Sequence, residues 1–233
     1  MIEAEWWDYD SAEEMAEAVA GDVGFIVESA LEARDAALIS LPGGNTPLPI
    51  YARLASIRLA WKKVTVIPTD DRLVGVDSEL NNIRAIAKAF LPTGARVIPI
   101  ATALDDYRAA GNAADARLQD LPWPPDLVWL GMGTDGHTAS IFPGPDLQSA
   151  LDAPKARRAV GVMPEPLPEE APVARVTLTR SAILSARTIL ITVTGEEKRR
   201  LLERAIADGQ SSKLPIGRVL AEAEQPIDIH WAP

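Results

Sequence analysis

Apolar positions recur along this chain with two different periods, and the periods take turns. Met15, Val19, Val23, Ile26 and Ala30 fall at helical spacing behind Asp10 or Ser11, either of which is a good N-cap. Glu13 and Glu14 stand in the first turn, where the helix dipole favours acids. The pattern predicts a first helix to about residue 33, with Gly21 and Gly24 as weak points where it can break. Residues 36–41 form a short apolar run that reads as a buried strand, and a helix carrying Ile50, Tyr51 and Leu54 follows. Val64–Pro68 is the next strand. Asn81 and Asn82 then introduce a helix with Ile83, Ile86, Ala87 and Phe90 on its buried side.

The alternation continues to the end. A strand over 95–100 precedes a helix carrying Leu104, Tyr107, Ala110, Ala114 and Leu118. A rigid Leu121-Pro-Trp-Pro-Pro125 leads into a strand over Leu127–Leu130. Further strands are expected over 160–163, 175–179, 188–194 and 227–231, the second running into a short helix through Ile183 and Leu184. Helices are expected after Gly195 and over 214–222, and 164–172 is a proline- and acid-rich loop, extended and exposed. His230, in the last strand, reads as structural. Strands alternating with helices imply an α/β fold: a mostly parallel sheet with helices on both faces. No internal repeat interrupts it, and residues 1–233 read as one domain.

Charge narrows the partners. A net charge of −10 argues against general affinity for nucleic acid or an anionic membrane. An anionic small substrate would need a local cluster of Lys and Arg to overcome that field. With no cysteine, a disulfide, a thiolate nucleophile and a zinc–sulfur site are all excluded. The first residues are acidic where a signal peptide would be basic, and no apolar run approaches the ~20 residues of a membrane span. A cytoplasmic protein, monomeric or a small homo-oligomer, is the expectation.

Candidate chemistry collects where predicted strands end. After Leu127–Leu130 come Gly131, Gly133 and Gly136, then His137, one of two histidines in the chain. Asp135, Thr138 and Ser140 surround it in sequence. Ligand crevices of open α/β sheets lie beyond the carboxyl ends of the strands, which is where this loop falls. Pro42-Gly-Gly-Asn-Thr-Pro47 has the layout of an anion site at a helix N-terminus, with Thr46 as an added donor; an ordinary strand-to-helix turn with an N-cap threonine fits it equally. No Gly-Lys-Ser/Thr of a P-loop is present. Thr69-Asp-Asp-Arg72 sets two carboxylates and a guanidinium at another strand end. Lys198 shares the stripe of Leu201 and Leu202, which aims it over the sheet edge or leaves it as a snorkelling surface lysine, whereas Arg199 and Arg200 read as solvent-facing. Ser140 lacks the Gly-x-Ser-x-Gly elbow of a serine hydrolase, and Asp70, Asp71 and His137 lack a recognisable metal-ligand spacing.

Taken in order, Pro42-Gly-Gly-Asn-Thr-Pro47, Asp70-Asp-Arg72, Asn82, Gly131-Met-Gly-Thr-Asp-Gly-His-Thr-Ala-Ser-Ile-Phe-Pro-Gly144, residues 175–179 and Gly195-Glu-Glu-Lys198 resemble the 6-phosphogluconolactonase family, in the superfamily shared with glucosamine-6-phosphate deaminase. Arg72 and the Thr-Ala-Ser-Ile-Phe-Pro that follows His137 match the lactonase branch; the deaminase has Tyr and Ile-Ala-Phe-Asn-Glu-Pro there. Asp71 replaces the family's usual Glu, and Asn45 and Asn81 stand where Ser is common. The resemblance implies hydrolysis of a small phosphorylated sugar lactone, 6-phospho-D-glucono-1,5-lactone, with no metal or cofactor, as used by the oxidative pentose phosphate and Entner–Doudoroff routes. It implies His137 as general acid/base on water, Arg72 either stabilising charge at the lactone carbonyl or orienting the sugar acid, and Asp135 either orienting His137 or capping the glycine turn. Gly43, Gly44, Asn45 and Thr46 would meet the phosphate, Arg175 and Lys198 would supply its counter-charge, and Asp70 would hold Arg72. The alternatives are a glucosamine-6-phosphate deaminase/isomerase and a non-catalytic sugar-phosphate sensor.

Overall fold

Strands β2 (Ala37–Leu41), β3 (Val64–Pro68), β6 (Leu127–Leu130) and β9 (Thr188–Thr194) are apolar almost without interruption, and the reason is that both of their faces are covered. Successive side chains point to opposite sides of a strand. Leu38, Val128, Leu130, Ile189 and Ile191 therefore enter one core, and Ala37, Ile39, Leu127, Trp129 and Leu190 the other. The computed structural model describes residues 2–101 and 105–233. The remaining elements are β1 (Ala4–Asp8), α1 (Ala12–Arg34), α2 (Leu48–Ser56), β4 (Asp70–Arg72), α3 (Asn82–Phe90), β5 (Arg96–Val97), α4 (Tyr107–Gln119), α5 (Leu147–Leu151), β7 (Ala159–Val162), β8 (Arg175–Leu178), α6 (Arg180–Leu184), α7 (Glu196–Asp208), α8 (Pro215–Leu220) and β10 (Ile227–Ala232). Among the described residues the main sheet has seven strands, ordered β1-β10-β9-β6-β2-β3-β5, and every pairing is parallel. Helices α1, α2 and α3 supply one core, and α4 to α8 supply the other.

The expected α/β fold is present, with differences of detail. Helix α1 runs unbroken through Gly21 and Gly24, held by a buried stripe from Met15 to Ala30. The strand expected over 95–100 shortens to Arg96–Val97, because it lies at the sheet edge and Pro99 has no N–H to pair. Leu104 lies outside the described residues, and α4 starts behind the N-cap Asp106. Strand β1 was not expected. It adds to β10 at the other edge, where Trp6 and Trp231 sandwich Arg199, at 5.2 and 4.5 Å from the ring centres. Arg199 also pairs with Asp8 and Glu203, so it is not the solvent-facing residue expected.

The larger difference is a second sheet. Strands β7 and β8 do not join the parallel sheet; they pair antiparallel with each other, and β4 pairs with β8 to give the order β4-β8-β7. The Asp70–Arg72 segment, read from the sequence as a strand end, is therefore a strand of this second sheet. Its register sets Arg72 opposite Arg175 and Asp70 opposite Thr177. No helix of the described residues is long and apolar enough to cross a membrane.

Candidate active site

The turns that leave β2, β3, β6 and β9 meet at one end of the main sheet, and the second sheet closes the space beside them. The result is a cleft of about 470 Å³. Its lining includes Gly43, Gly44, Asn45, Thr46, Asp70, Arg72, His137, Arg175 and Lys198. Asp135 does not line it, but is bonded to His137 from behind.

The loop after β6 is built to present His137. Thr138 Oγ1 donates to Gly131 O at 2.8 Å, and Gly133 N donates to His137 O at 3.0 Å, closing the turn. A Cβ on Gly133 would lie 2.2 Å from His137 Cε1, so only glycine leaves room for the ring. The imidazole stacks on Phe142, with centroids 4.1 Å apart. Next to it, Ala139 is held at φ 48°, a left-handed conformation that a non-glycine residue adopts at a cost. Asp135 Oδ1 accepts from His137 N at 3.1 Å and from Nδ1 at 2.5 Å, so this carboxylate both caps the turn and orients the ring. Desolvation pushes the Asp135 carboxyl up, but the hydrogen bonds and charge of His137 outweigh it, and the net direction is down. An ionised carboxylate there fixes the proton on Nδ1 and leaves Nε2 as the other nitrogen, without a partner among the described residues.

Across the cleft, the two acids of β4 do different work. Asp70 accepts from Ser140 Oγ at 2.6 Å and Thr69 Oγ1 at 3.0 Å, tying β4 to the histidine loop. Contrary to the expectation from the sequence, it makes no bond to Arg72; its oxygens face the Ser140 and Thr69 hydroxyls. Arg72 Nη1 instead donates to Leu80 O and Asn82 Oδ1, both at 2.8 Å. Asp71 faces away, buried, and accepts from the backbone N–H groups of Asn82, Ile83 and Arg72 at 2.7, 3.0 and 2.8 Å. It caps α3, whose nominal N-cap Asn81 makes no side-chain cap bond. Desolvation raises its pKa to about 6, against the lowering effect of those three donors.

The cations converge on the same wall. Arg175 is 2% exposed, donates to Ala171 O at 2.8 Å and lies 5.0 Å above the Phe142 ring. Burial first, and the neighbouring Arg72 charge second, pull its guanidinium below the ordinary value. Nε of Arg72 and Nε of Arg175 are both buried without a hydrogen-bond partner among the described residues. Lys198, half-buried in the first turn of α7, completes the set. The N–H groups of residues 43–46 have no acceptor among the described residues. Buried Tyr51 donates to Pro42 O and steadies that turn. The sequence reading gives three of these residues no role in the site: Tyr51 falls on the buried side of a helix, and Phe142 and Asn82 are carried as members of the family motifs. Among the described residues no three His, Cys, Asp or Glu side chains group as a metal site.

Comparison with known proteins agrees with this geometry. A 6-phosphogluconolactonase of Rhizobium meliloti is 38% identical over 229 residues, 97% of each chain. One of Pseudomonas putida is 36% identical over 95% of this chain and 90% of its own. The crystal structure of a 6-phosphogluconolactonase from Shewanella baltica superposes with a TM-score of 0.91 at 30% identity, covering 99% of this chain and 98% of that one. The family model described as glucosamine-6-phosphate isomerases/6-phosphogluconolactonase matches residues 10–231, and the chain belongs to that family.

Proposed function

We propose that this protein is a 6-phosphogluconolactonase, hydrolysing 6-phospho-D-glucono-1,5-lactone to 6-phospho-D-gluconate, with His137 moving the protons. The observation that carries the mechanism is the Asp135–His137 pair, bonded at 2.5 Å through Nδ1, in a cleft that also holds Arg72, Arg175 and Lys198. In the proposed reaction Nε2 takes a proton from water as the oxygen adds to the lactone carbonyl carbon. Asp135 stabilises the imidazolium that forms. Arg72 faces the negative charge on the tetrahedral oxyanion. The bond to the ring oxygen then breaks, and the imidazolium returns its proton to that oxygen. Acid–base help of this kind is worth ~10²–10⁴-fold.

The phosphate belongs at the 43–46 turn, where free amides, Thr46 and Lys198 supply donors and counter-charge. Arg175, buried beside Arg72, adds to the positive field along the same wall. This local cluster answers the net charge of −10, which would otherwise repel a dianionic sugar phosphate. A phosphorylated sugar is a charged metabolite retained in the cell, and the reading carries a cytoplasmic location with it.

The test is acid release from freshly generated 6-phosphogluconolactone, followed by pH-stat against spontaneous opening. Wild type is expected to accelerate release. His137→Ala is expected to lose ~10²–10⁴-fold in kcat while still binding 6-phosphogluconate. Near-normal turnover in that variant would remove His137 from the chemistry. No acceleration by wild type, with ammonia release from glucosamine 6-phosphate, would move the protein to the deaminase branch.

A further inference from the structure

We propose that Asn82 is a positioning residue that fixes Arg72 against the phosphate turn at 43–46, and so sets the span between the two ends of the ligand. The inference rests on the lactonase reading and deepens it. Asn82 is 5% exposed at the start of α3 and borders the cleft. Its Oδ1 accepts from Arg72 Nη1 at 2.8 Å, and its Nδ2 donates to Asp70 O at 3.0 Å. Those two bonds fix the orientation of the amide, since only its oxygen can accept and only its nitrogen can donate. Its backbone N–H is held by Asp71 Oδ1 at 2.7 Å. On its remaining side it presses on the phosphate turn: a Cβ on Gly43 would lie 2.0 Å from Asn82 Oδ1.

One side chain thus touches the strand that carries Arg72, the guanidinium itself and the turn assigned to the phosphate. A guanidinium with an unpartnered buried Nε is free to swing unless something holds its other end. Only Leu80 O and Asn82 do so among the described residues. An aspartate could not donate to Asp70 O, and a serine could not reach both partners. The pairing therefore requires a carboxamide of this length.

The experiment is a double-mutant cycle. Asn82→Ala and Asn82→Ser, the second a good helix-start residue, are expected to lower kcat about 10- to 100-fold, as sub-ångström misplacement of a charged group does. Their thermal unfolding midpoint is expected to fall by several degrees, the cost of the lost bonds, while both variants stay fully folded at the assay temperature. Affinity for 6-phosphogluconate, measured by calorimetry, remains readable when turnover is lost. Asn82→Ala is expected to weaken it about tenfold in the wild-type background and less than about twofold with Arg72→Ala already present. Equal losses in both backgrounds would overturn the proposal. So would wild-type kcat in both Asn82 variants, or turnover lost only in step with folding. Failure of the lactonase reading itself would show separately, as absence of acceleration by wild type.

Discussion

His137 is defined less by its own chemistry than by what crowds it. Phe142 stacks on one face, Gly133 makes room for the ring, and Asp135 holds Nδ1. Asp135→Asn keeps the size of the partner but loses the charge that selects the tautomer. It is expected to lower kcat by ~10²- to 10⁴-fold with little change in KM, read from initial rates over a range of lactone concentrations. A normal kcat would reduce Asp135 to a cap of the glycine turn. Lys198→Ala should do the opposite, raising KM about tenfold or more while kcat holds, because a phosphate counter-charge acts on ground state and transition state alike. An unchanged KM would take Lys198 out of the phosphate site. His137 was legible because it follows a buried strand at a sheet end in company with Asp135, Thr138 and Ser140; a lone histidine in a glycine-rich turn would have read as an ordinary loop residue. Asn82 was named in the family motifs but its role was not legible, because an asparagine at a helix start already has an ordinary explanation, and its bond to Arg72 spans ten residues that only the fold brings together.

At the scale of elements, the sequence spoke clearly wherever a strand was buried on both faces. Strands β3, β6 and β9 fall on the segments that their apolar runs indicated. Partners are another matter, because a local pattern carries period but not pairing. Residues 160–163 and 175–179 were read as strands, yet nothing in them says that they leave the parallel sheet for an antiparallel one. Strand β4, Asp-Asp-Arg, was legible only as the charged end of β3, since its stabilisation comes from β8 and from the Ser140 bond to Asp70 rather than from apolar burial. That bond joins the second sheet to the histidine loop and suggests a test. Ser140→Ala leaves a buried carboxylate short of a donor and is expected to cost ~1.5–3 kcal/mol, or about 3–12 °C in Tm for a chain of this size. Turnover at a permissive temperature should stay within about tenfold of wild type, since neither water activation nor proton return uses that hydroxyl. Loss of all turnover in a folded variant would give Ser140 a part in the chemistry itself.

Across the whole molecule, two buried titratable groups far apart in the fold pull the pH dependence of stability in opposite directions. His230 is buried near the sheet edge and stacks with the Trp7 and Tyr9 rings, with Tyr9 Oη 2.9 Å from Nδ1, and burial pushes its pKa down to about 4. Asp22, 3.8 Å from Nε2, does not offset that burial. The unfolded chain takes up this proton near ~6.5 and the folded one resists it, so the contribution is full above ~6.5 and falls by ~3 kcal/mol as pH drops to ~4. Asp71 behaves in reverse. Its pKa is raised to about 6 by desolvation, so the folded chain keeps a proton that the unfolded chain releases near ~3.9. Its contribution is full below ~3.9 and is lost, again by ~3 kcal/mol, as pH rises through ~6. Over the shared window the two nearly cancel, and each becomes visible only when the other is removed. Urea unfolding at about pH 7.5 and about pH 4.5 should show Asp71→Asn losing ~2–3 kcal/mol more than wild type on acidification, and His230→Gln losing ~2–3 kcal/mol less. The exposed carboxylates are common to all three proteins and drop out of the differences. Equal slopes would mean that neither group titrates as its burial requires, and that the cap of α3, on which Asn82 and Arg72 depend, is carried by an ordinary carboxylate.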